Sequence, residues 1–138
     1  MTGRERAKTI PVVDYLCLDD GKPTLTALAC EACGARYFDH REACASCGSV
    51  GPFTRIGLPS TGLVGAFTIV HRAATGVRTP FVSALVYLDD GTAVRANIVN
   101  CPPVPERVRL NMRVGLVTFE LGTDSEGTSA IGFGFEPV

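Results

Sequence analysis

Two Cys-x-x-Cys-Gly motifs constrain the fold of this 138-residue chain more than any other feature of its sequence. In such a turn two sulfurs lie on one side of a tight loop, and the glycine that follows lets the backbone fold back beneath them. Two motifs together supply four thiolates, the tetrahedral set that a structural zinc ion prefers. The pattern therefore predicts one structural zinc ion per chain, with the ligands Cys30, Cys33, Cys44 and Cys47.

Other uses of clustered thiols fit the sequence less well. Two disulfides would need an oxidising compartment, and a redox Cys-x-x-Cys pair would not explain two symmetric motifs. The N-terminal stretch "MTGRERAKTIPVVDYL" has no apolar signal region, and no segment approaches the roughly 18 apolar residues of a membrane span. We therefore expect a cytoplasmic protein with reduced cysteines and no membrane contact. Iron in the same sulfur cage remains an alternative to zinc.

A site closed by four thiolates has no open coordination position, so it holds a fold together but does not activate water. His40 lies between the two motifs, and we expect it to be a solvent-facing loop residue rather than a ligand. The ten residues between Cys33 and Cys44 are long enough for a short β-hairpin that brings the second motif opposite the first.

Changes in local composition divide the chain into three parts. Residues 1–23 form a lead-in segment that contains an Asp-Gly turn signal at Asp20–Gly21. Residues 24–58 form the predicted zinc ribbon, which begins with a short strand over residues 24–29. Residues 59–138 follow a linker rich in glycine, proline and serine, and form the predicted second domain.

The second domain has the pattern of a small β-barrel. Five runs rich in Val, Ile, Phe and Thr are separated by turn signals, and these predicted strands span residues 62–72, 80–90, 92–100, 113–121 and 129–137. Asp90–Gly91 predicts a tight hairpin between the second and third strands, and Gly62 and Gly65 fit the sharp bends of a closed barrel. The fold class is therefore mostly β, a zinc ribbon followed by a five-stranded OB-fold barrel. A β-sandwich would need about seven strands.

The chain resembles the DUF35 group, OB-fold proteins associated with acyl-CoA that carry a rubredoxin-like zinc ribbon. The resemblance covers residues 12–138 and lies in the segments "CEACG", "CASCG", "FTIVHR", "PFVSALVYLDDG", "VRANIVN", "LNMRVGLVTFE" and "FGFEP". Two departures place the chain in a sub-branch: Ala45 stands where the family often has proline, and "FDHRE" replaces a stretch that often carries two prolines.

The resemblance implies a non-catalytic accessory subunit of a thiolase-superfamily enzyme, either a thiolase or an aldolase of the lipid-transfer-protein type. Such a subunit would form a hetero-oligomer with the enzyme, stabilise it and help form its acyl-CoA channel. The catalytic residues would lie in the partner, so we expect no catalytic residue in this chain.

The residues agree with this interpretation. The chain contains no serine elbow, no glycine-rich phosphate loop and no His-Glu metal motif. Cys17 and Cys101 are left over by the metal motifs, and a nucleophilic role for Cys101 would require a nearby base such as His71. We expect instead that Cys101 is inert and that His71 is a polar residue at the end of a strand.

The alternative function is a single-stranded nucleic-acid-binding OB-fold protein with a zinc ribbon. Such proteins combine exposed aromatic side chains with a basic groove on the second and third strands. Here the net charge is −1, and Asp89 and Asp90 lie at the hairpin between those strands. The basic cluster Arg107, Arg109 and Arg113 fits phosphates of coenzyme A, acidic groups on a partner, or a solvated surface. The near-neutral charge argues against nucleic acid.

Overall fold

The computed structural model describes residues 9–18 and 21–138. Predictions for residues 1–8 and for Asp20 lie outside the described residues. The described residues form strands and connecting loops without an α-helix. The strands are β1 (Thr9–Pro11), β2 (Leu16–Cys17), β3 (Thr24–Cys30), β4 (Arg36–Tyr37), β5 (Phe53–Gly57), β6 (Thr61–Val70), β7 (Phe81–Leu88), β8 (Ala93–Ile98), β9 (Arg113–Thr123) and β10 (Ser129–Pro137).

The last five strands close into a barrel, with the neighbours β6-β7-β8-β10-β9 and a return from β9 to β6. All pairs in this ring are antiparallel except β8 and β10, which are parallel. This is the strand order of an OB-fold, so the predicted fold class is confirmed. Each of the five predicted strands is present, with ends within two residues of those expected from sequence.

The barrel core forms because apolar residues alternate along the strands. On β7 the side chains of Val82, Ala84, Val86 and Leu88 are buried, and the residues between them face outward. Phe135 on β10 is fully buried among them. At the predicted Asp90–Gly91 turn, Gly91 adopts a φ of 89° and its N–H donates to the carbonyl oxygen of Leu88 at 2.8 Å.

Two glycines let β6 bend and approach β7 closely. Gly65 lies at a β-bulge, between Val64 and Ala66, where the pairing register with β7 shifts. A Cβ atom at Gly65 would overlap the ring of Tyr87, and one at Gly62 would overlap the carbonyl oxygen of Tyr87. The positions expected to bend the barrel are therefore the positions where a side chain has no space.

Strands β2 to β5 form a small sheet around β3. β5 pairs antiparallel with β3 over Thr26–Cys30, while β2 pairs with the first two residues of β3. The expected hairpin between the two cysteine motifs is absent from these described residues. β4 instead pairs with β3, at Leu28 and Ala29. The first cysteine motif is itself the turn of this hairpin, because it directly joins β3 to β4.

The two sheets share a core and a polar contact. Leu16, Leu25, Ala27 and Leu58 pack with the buried residues of the barrel. Arg36 on β4 forms an ion pair with Asp90 and donates to the Thr92 hydroxyl at 2.8 Å. β1 pairs in parallel with β10, so described residues of the lead-in contact the barrel as well. The division at residues 23 and 58 stays a prediction.

Candidate metal site

The four predicted ligands lie close together. Their sulfurs are all within 4.8 Å of one another, with 3.8 Å between the Sγ atoms of Cys30 and Cys47 and 3.6 Å between those of Cys33 and Cys44. Four sulfurs placed about 2.3 Å from one zinc ion would lie roughly 3.8 Å apart, so the cluster has the size of a tetrahedral site. All four are free thiols, since these separations are far longer than a disulfide bond of about 2.0 Å.

The two cysteine motifs repeat one backbone arrangement. The carbonyl oxygen of Cys30 accepts from the N–H of Gly34 at 2.7 Å, and that of Cys44 accepts from Gly48 at 2.8 Å. Both glycines are left-handed, with φ of 81° and 79°. A Cβ atom would meet nothing within 4 Å at either position, so the glycines are required for backbone conformation rather than for space.

Tyr37 supports this cluster, and sequence reasoning did not identify it. Its hydroxyl lies 3.3 Å from the Sγ of Cys44 and accepts the Ala45 N–H at 3.0 Å. The hydrogen bond with Tyr37, together with the backbone N–H of Cys47, lowers the pKa of the Cys44 thiol to about 6. The same bond to Cys44 raises the pKa of Tyr37. Tyr37 therefore favours the thiolate form that a metal ion requires.

Tyr37 is itself held in place on two sides. The guanidinium of Arg41 lies over its ring, 4.6 Å from the centroid, and Phe53 on β5 packs edge-on at 6.2 Å. The only signal in the sequence was an aromatic residue between the two motifs. The role of that residue depends on the pairing of β4 with β3, which the sequence pattern did not predict.

The other candidate residues lie apart from the cluster. His40 is exposed and does not belong to the group of clustered ligand atoms, as expected. Cys17 lies on β2, and Cys101 is half-buried. The Sγ of Cys101 lies 3.6 Å from the carbonyl oxygen of Arg107. His71 is exposed in the loop directly after β6. The structure thus shows Cys101 against backbone carbonyls rather than against an imidazole.

The predicted arginine cluster is divided between two environments. Arg113 donates to Asp89, with 3.2 Å between their closest charged atoms. Arg107 and Arg109 form no ion pair with any residue that the structure describes. Together with Arg113 they line an open cavity of about 630 Å³ that also contains Cys101. The cavity offers cationic groups to an anion, whereas the hairpin after β7 carries two carboxylates.

No helix in the described part of the chain has the length and apolar composition needed to cross a membrane. The cytoplasmic location stays a prediction.

Comparisons with protein families and with solved structures show what this chain is similar to. Residues 57–119 match the family model described as the C-terminal OB-fold domain of ChsH2. A chain of the solved Ltp2-ChsH2(DUF35) aldolase is 26% identical to this chain and superposes with a TM-score of 0.62. The alignment covers 83% of this chain and 84% of that chain. No curated protein sequence matches significantly. These two matches confirm the predicted resemblance to the DUF35 group.

Proposed function

We propose that this chain, whose barrel carries the ChsH2-type OB-fold of the DUF35 group, is a non-catalytic accessory subunit of a thiolase-like acyl-CoA enzyme. The observation that carries the proposal is the likeness over more than four-fifths of both chains to a chain of an aldolase named for two components, Ltp2 and ChsH2. The partner would be a thiolase or an aldolase of the lipid-transfer-protein type, and it would supply the catalytic residues.

The metal site supports a structural role. We assign one zinc ion to Cys30, Cys33, Cys44 and Cys47, since the sulfur separations fit a tetrahedral site and the Tyr37 hydroxyl favours the thiolate of Cys44. Four protein ligands leave no position for water or substrate, so this ion would stabilise the ribbon and take no part in the reaction.

Contact with acyl-CoA is a further part of the proposal. A small barrel is filled by its own side chains, and the core of this one includes Phe135 and Val86, neither of which has exposed surface. A coenzyme would therefore bind outside the barrel, at the interface with the enzyme. Arg107 and Arg109 suit the phosphates of coenzyme A, because they line an open cavity and no described carboxylate pairs with them.

The alternative of nucleic-acid binding has weaker support. In an OB-fold the second and third strands and the loops around them form the usual nucleic-acid surface. Here the hairpin that joins β7 and β8 carries Asp89 and Asp90, paired with Arg113 and Arg36 respectively. Few cations remain on that surface to neutralise phosphates, which dominate the affinity of such complexes.

The test is an affinity purification of the tagged full-length chain from its native host, with mass spectrometry of what co-purifies. We expect a thiolase-fold subunit in stoichiometric amount. The purified complex should turn over acyl-CoA, and the chain alone should not. Turnover by the chain alone, or recovery of nucleic acid in place of an enzyme subunit, would overturn the proposal.

A further inference from the structure

One end of the outer surface of strands β6, β7 and β8 carries two mainly apolar rows of side chains. Along these strands the residues that alternate with the buried ones face outward, and the pairing register arranges them in rows across the three strands. Two neighbouring rows are Leu63–Tyr87–Ala93 and Ala66–Leu85–Arg95. We call this surface the β6–β8 outer face.

The most exposed large apolar side chains of this face lie side by side. Leu63 is 39% exposed and Tyr87 is 46% exposed, and they are direct partners across the β6–β7 pair. The ring of Tyr87 lies over Gly65, where no side chain separates it from the backbone. It is therefore pre-positioned on a rigid sheet, and tyrosine in such a setting is among the residues that contribute most to protein interfaces.

We infer that the β6–β8 outer face is the surface on which the partner enzyme subunit docks, and that this partner places a carboxylate opposite Arg95. The inference rests on the proposed function, since it names the surface by which the accessory subunit would bind. Arg95 is the only charged residue on this face, is exposed, and forms no ion pair with the described residues.

The charge of the face selects among possible occupants. A nucleic acid would need several cations to replace its counterions, and the face provides one. A second copy of this chain, docked by the same face around a two-fold axis, would offer Arg95 no carboxylate, because the face has none. A different protein that is apolar around one acidic residue satisfies both requirements. Arg113, at the edge of the row that contains Leu63, is already neutralised by Asp89.

The size of the face suits the centre of an interface. Three strands about 4.8 Å apart and seven residues long cover roughly 300 Å², which includes the adjoining polar row Thr68–Ser83–Asn97. A standard interface buries about 800 Å² on each partner, with an apolar centre and a polar rim. The exposed loop after β6, which carries Arg72 and Arg78, and the Arg113–Asp89 pair border the face and would supply part of that rim.

The experiment compares variants of the full chain for binding to the thiolase-fold subunit that co-purifies with the wild type. Tyr87→Ser removes the central ring, and Arg95→Glu reverses the single charge. We expect each change to raise the dissociation constant at least tenfold, as is typical of residues at the centre of an interface. Val50→Ser on the ribbon, where Val50 is 84% exposed, and Lys22→Glu, with the same charge change as Arg95→Glu, should shift it less than about twofold.

The outcomes separate this inference from the proposed function. Failure of the wild-type chain to bind any thiolase-fold subunit would remove the proposed function and the docking surface with it. Binding by wild type that neither Tyr87→Ser nor Arg95→Glu weakens would overturn only the docking surface. Arg95→Glu leaves packing intact, so it remains informative if Tyr87→Ser lowers the melting temperature. A wild-type dimer that Tyr87→Ser dissociates would assign the face to a second copy instead.

Discussion

The tip of the ribbon and the barrel are stabilised by different means. Between residues 31 and 52 the only buried residue is Cys44, so this segment has almost no apolar core of its own. In the barrel every strand contributes buried side chains, and Phe135 has no exposed surface. The ribbon tip would therefore depend on the bonds of the proposed metal ion, while the barrel depends on the burial of apolar surface.

The two regions also differ in which of their positions tolerate substitution. In the ribbon tip most positions are exposed, and the constrained ones are chiefly the ligands, the glycines, Tyr37 and Arg36. In the barrel the buried positions, such as alternate residues of β7, are constrained by packing, and the outward positions are free to present a surface. The region with the strongest sequence motif thus holds the candidate metal site, and the region with the less distinctive sequence carries the proposed docking surface.

Replacing a metal ligand should have the largest effect and should be confined to the ribbon. Binding of a structural zinc ion is worth about 10–16 kcal/mol in small zinc domains. We expect Cys30→Ser and Cys47→Ser to lose the metal and to lose hydrogen-exchange protection over residues 31–52, while β6–β10 stay protected. Elemental analysis and hydrogen exchange measure the two effects. Cys101→Ser should keep a full equivalent of metal, and wild-type metal content in both ligand variants would rule out the four-cysteine site.

The reverse experiment weakens the barrel and leaves the metal in place. Phe135→Ala should cost about 3–5 kcal/mol, because it leaves a cavity at the centre of the core. In a chain of this size the melting temperature should fall by roughly 10–17 °C. Below that temperature the metal content should equal that of wild type. Phe119→Ala, at a position 37% exposed on β9, should cost much less, and equal losses in both variants would contradict the central role of Phe135.

The two regions also differed in how far the sequence predicted them. The five barrel strands could be located within two residues, because alternation and turn residues act over short stretches of chain. The spacing of the four cysteines alone predicted that their sulfurs would lie close together. Tyr37 was missed because its contact with Cys44 depends on the pairing of β4 with β3. The same limit applies to Arg36, whose partner Asp90 lies 54 residues away.

Substitutions should distinguish a glycine that is required for its backbone conformation from one that is required because a side chain has no space. Gly34 is left-handed and has open surroundings, so Gly34→Asn should be tolerated and Gly34→Val should cost about 1–2 kcal/mol. Gly62 faces the backbone of Tyr87, so asparagine and valine should both destabilise there, by about 1–3 kcal/mol. Chemical denaturation of the four variants measures the difference. If Gly62→Asn were as stable as wild type, the close contact with β7 would not be the reason for glycine at this position.

The smallest expected effect is at the contact between the regions. Burial alone would raise the pKa of Asp90, but hydrogen bonds from Thr92 and the charge of Arg36 lower it below its ordinary value. An aspartate with a lowered pKa stabilises the folded state above the unfolded-state pKa of about 3.9, and this contribution disappears as the pH falls further. Both side chains are partly exposed, so the pair is worth about 1 kcal/mol or less.

We therefore expect the Arg36→Ala variant to be slightly less stable than wild type at pH 6 and equally stable near pH 2. The measurement is the free energy of unfolding, monitored by a probe in the barrel. Comparing the two proteins at each pH cancels the acid-induced loss of metal, because both lose it. Arg41→Ala matches the change in charge but removes a contact within the ribbon, so its stability deficit should not depend on Asp90. An Arg36→Ala deficit that stays constant down to pH 2 would mean that Arg36 acts through its hydrogen bond to Thr92 and that the ion pair with Asp90 contributes nothing measurable.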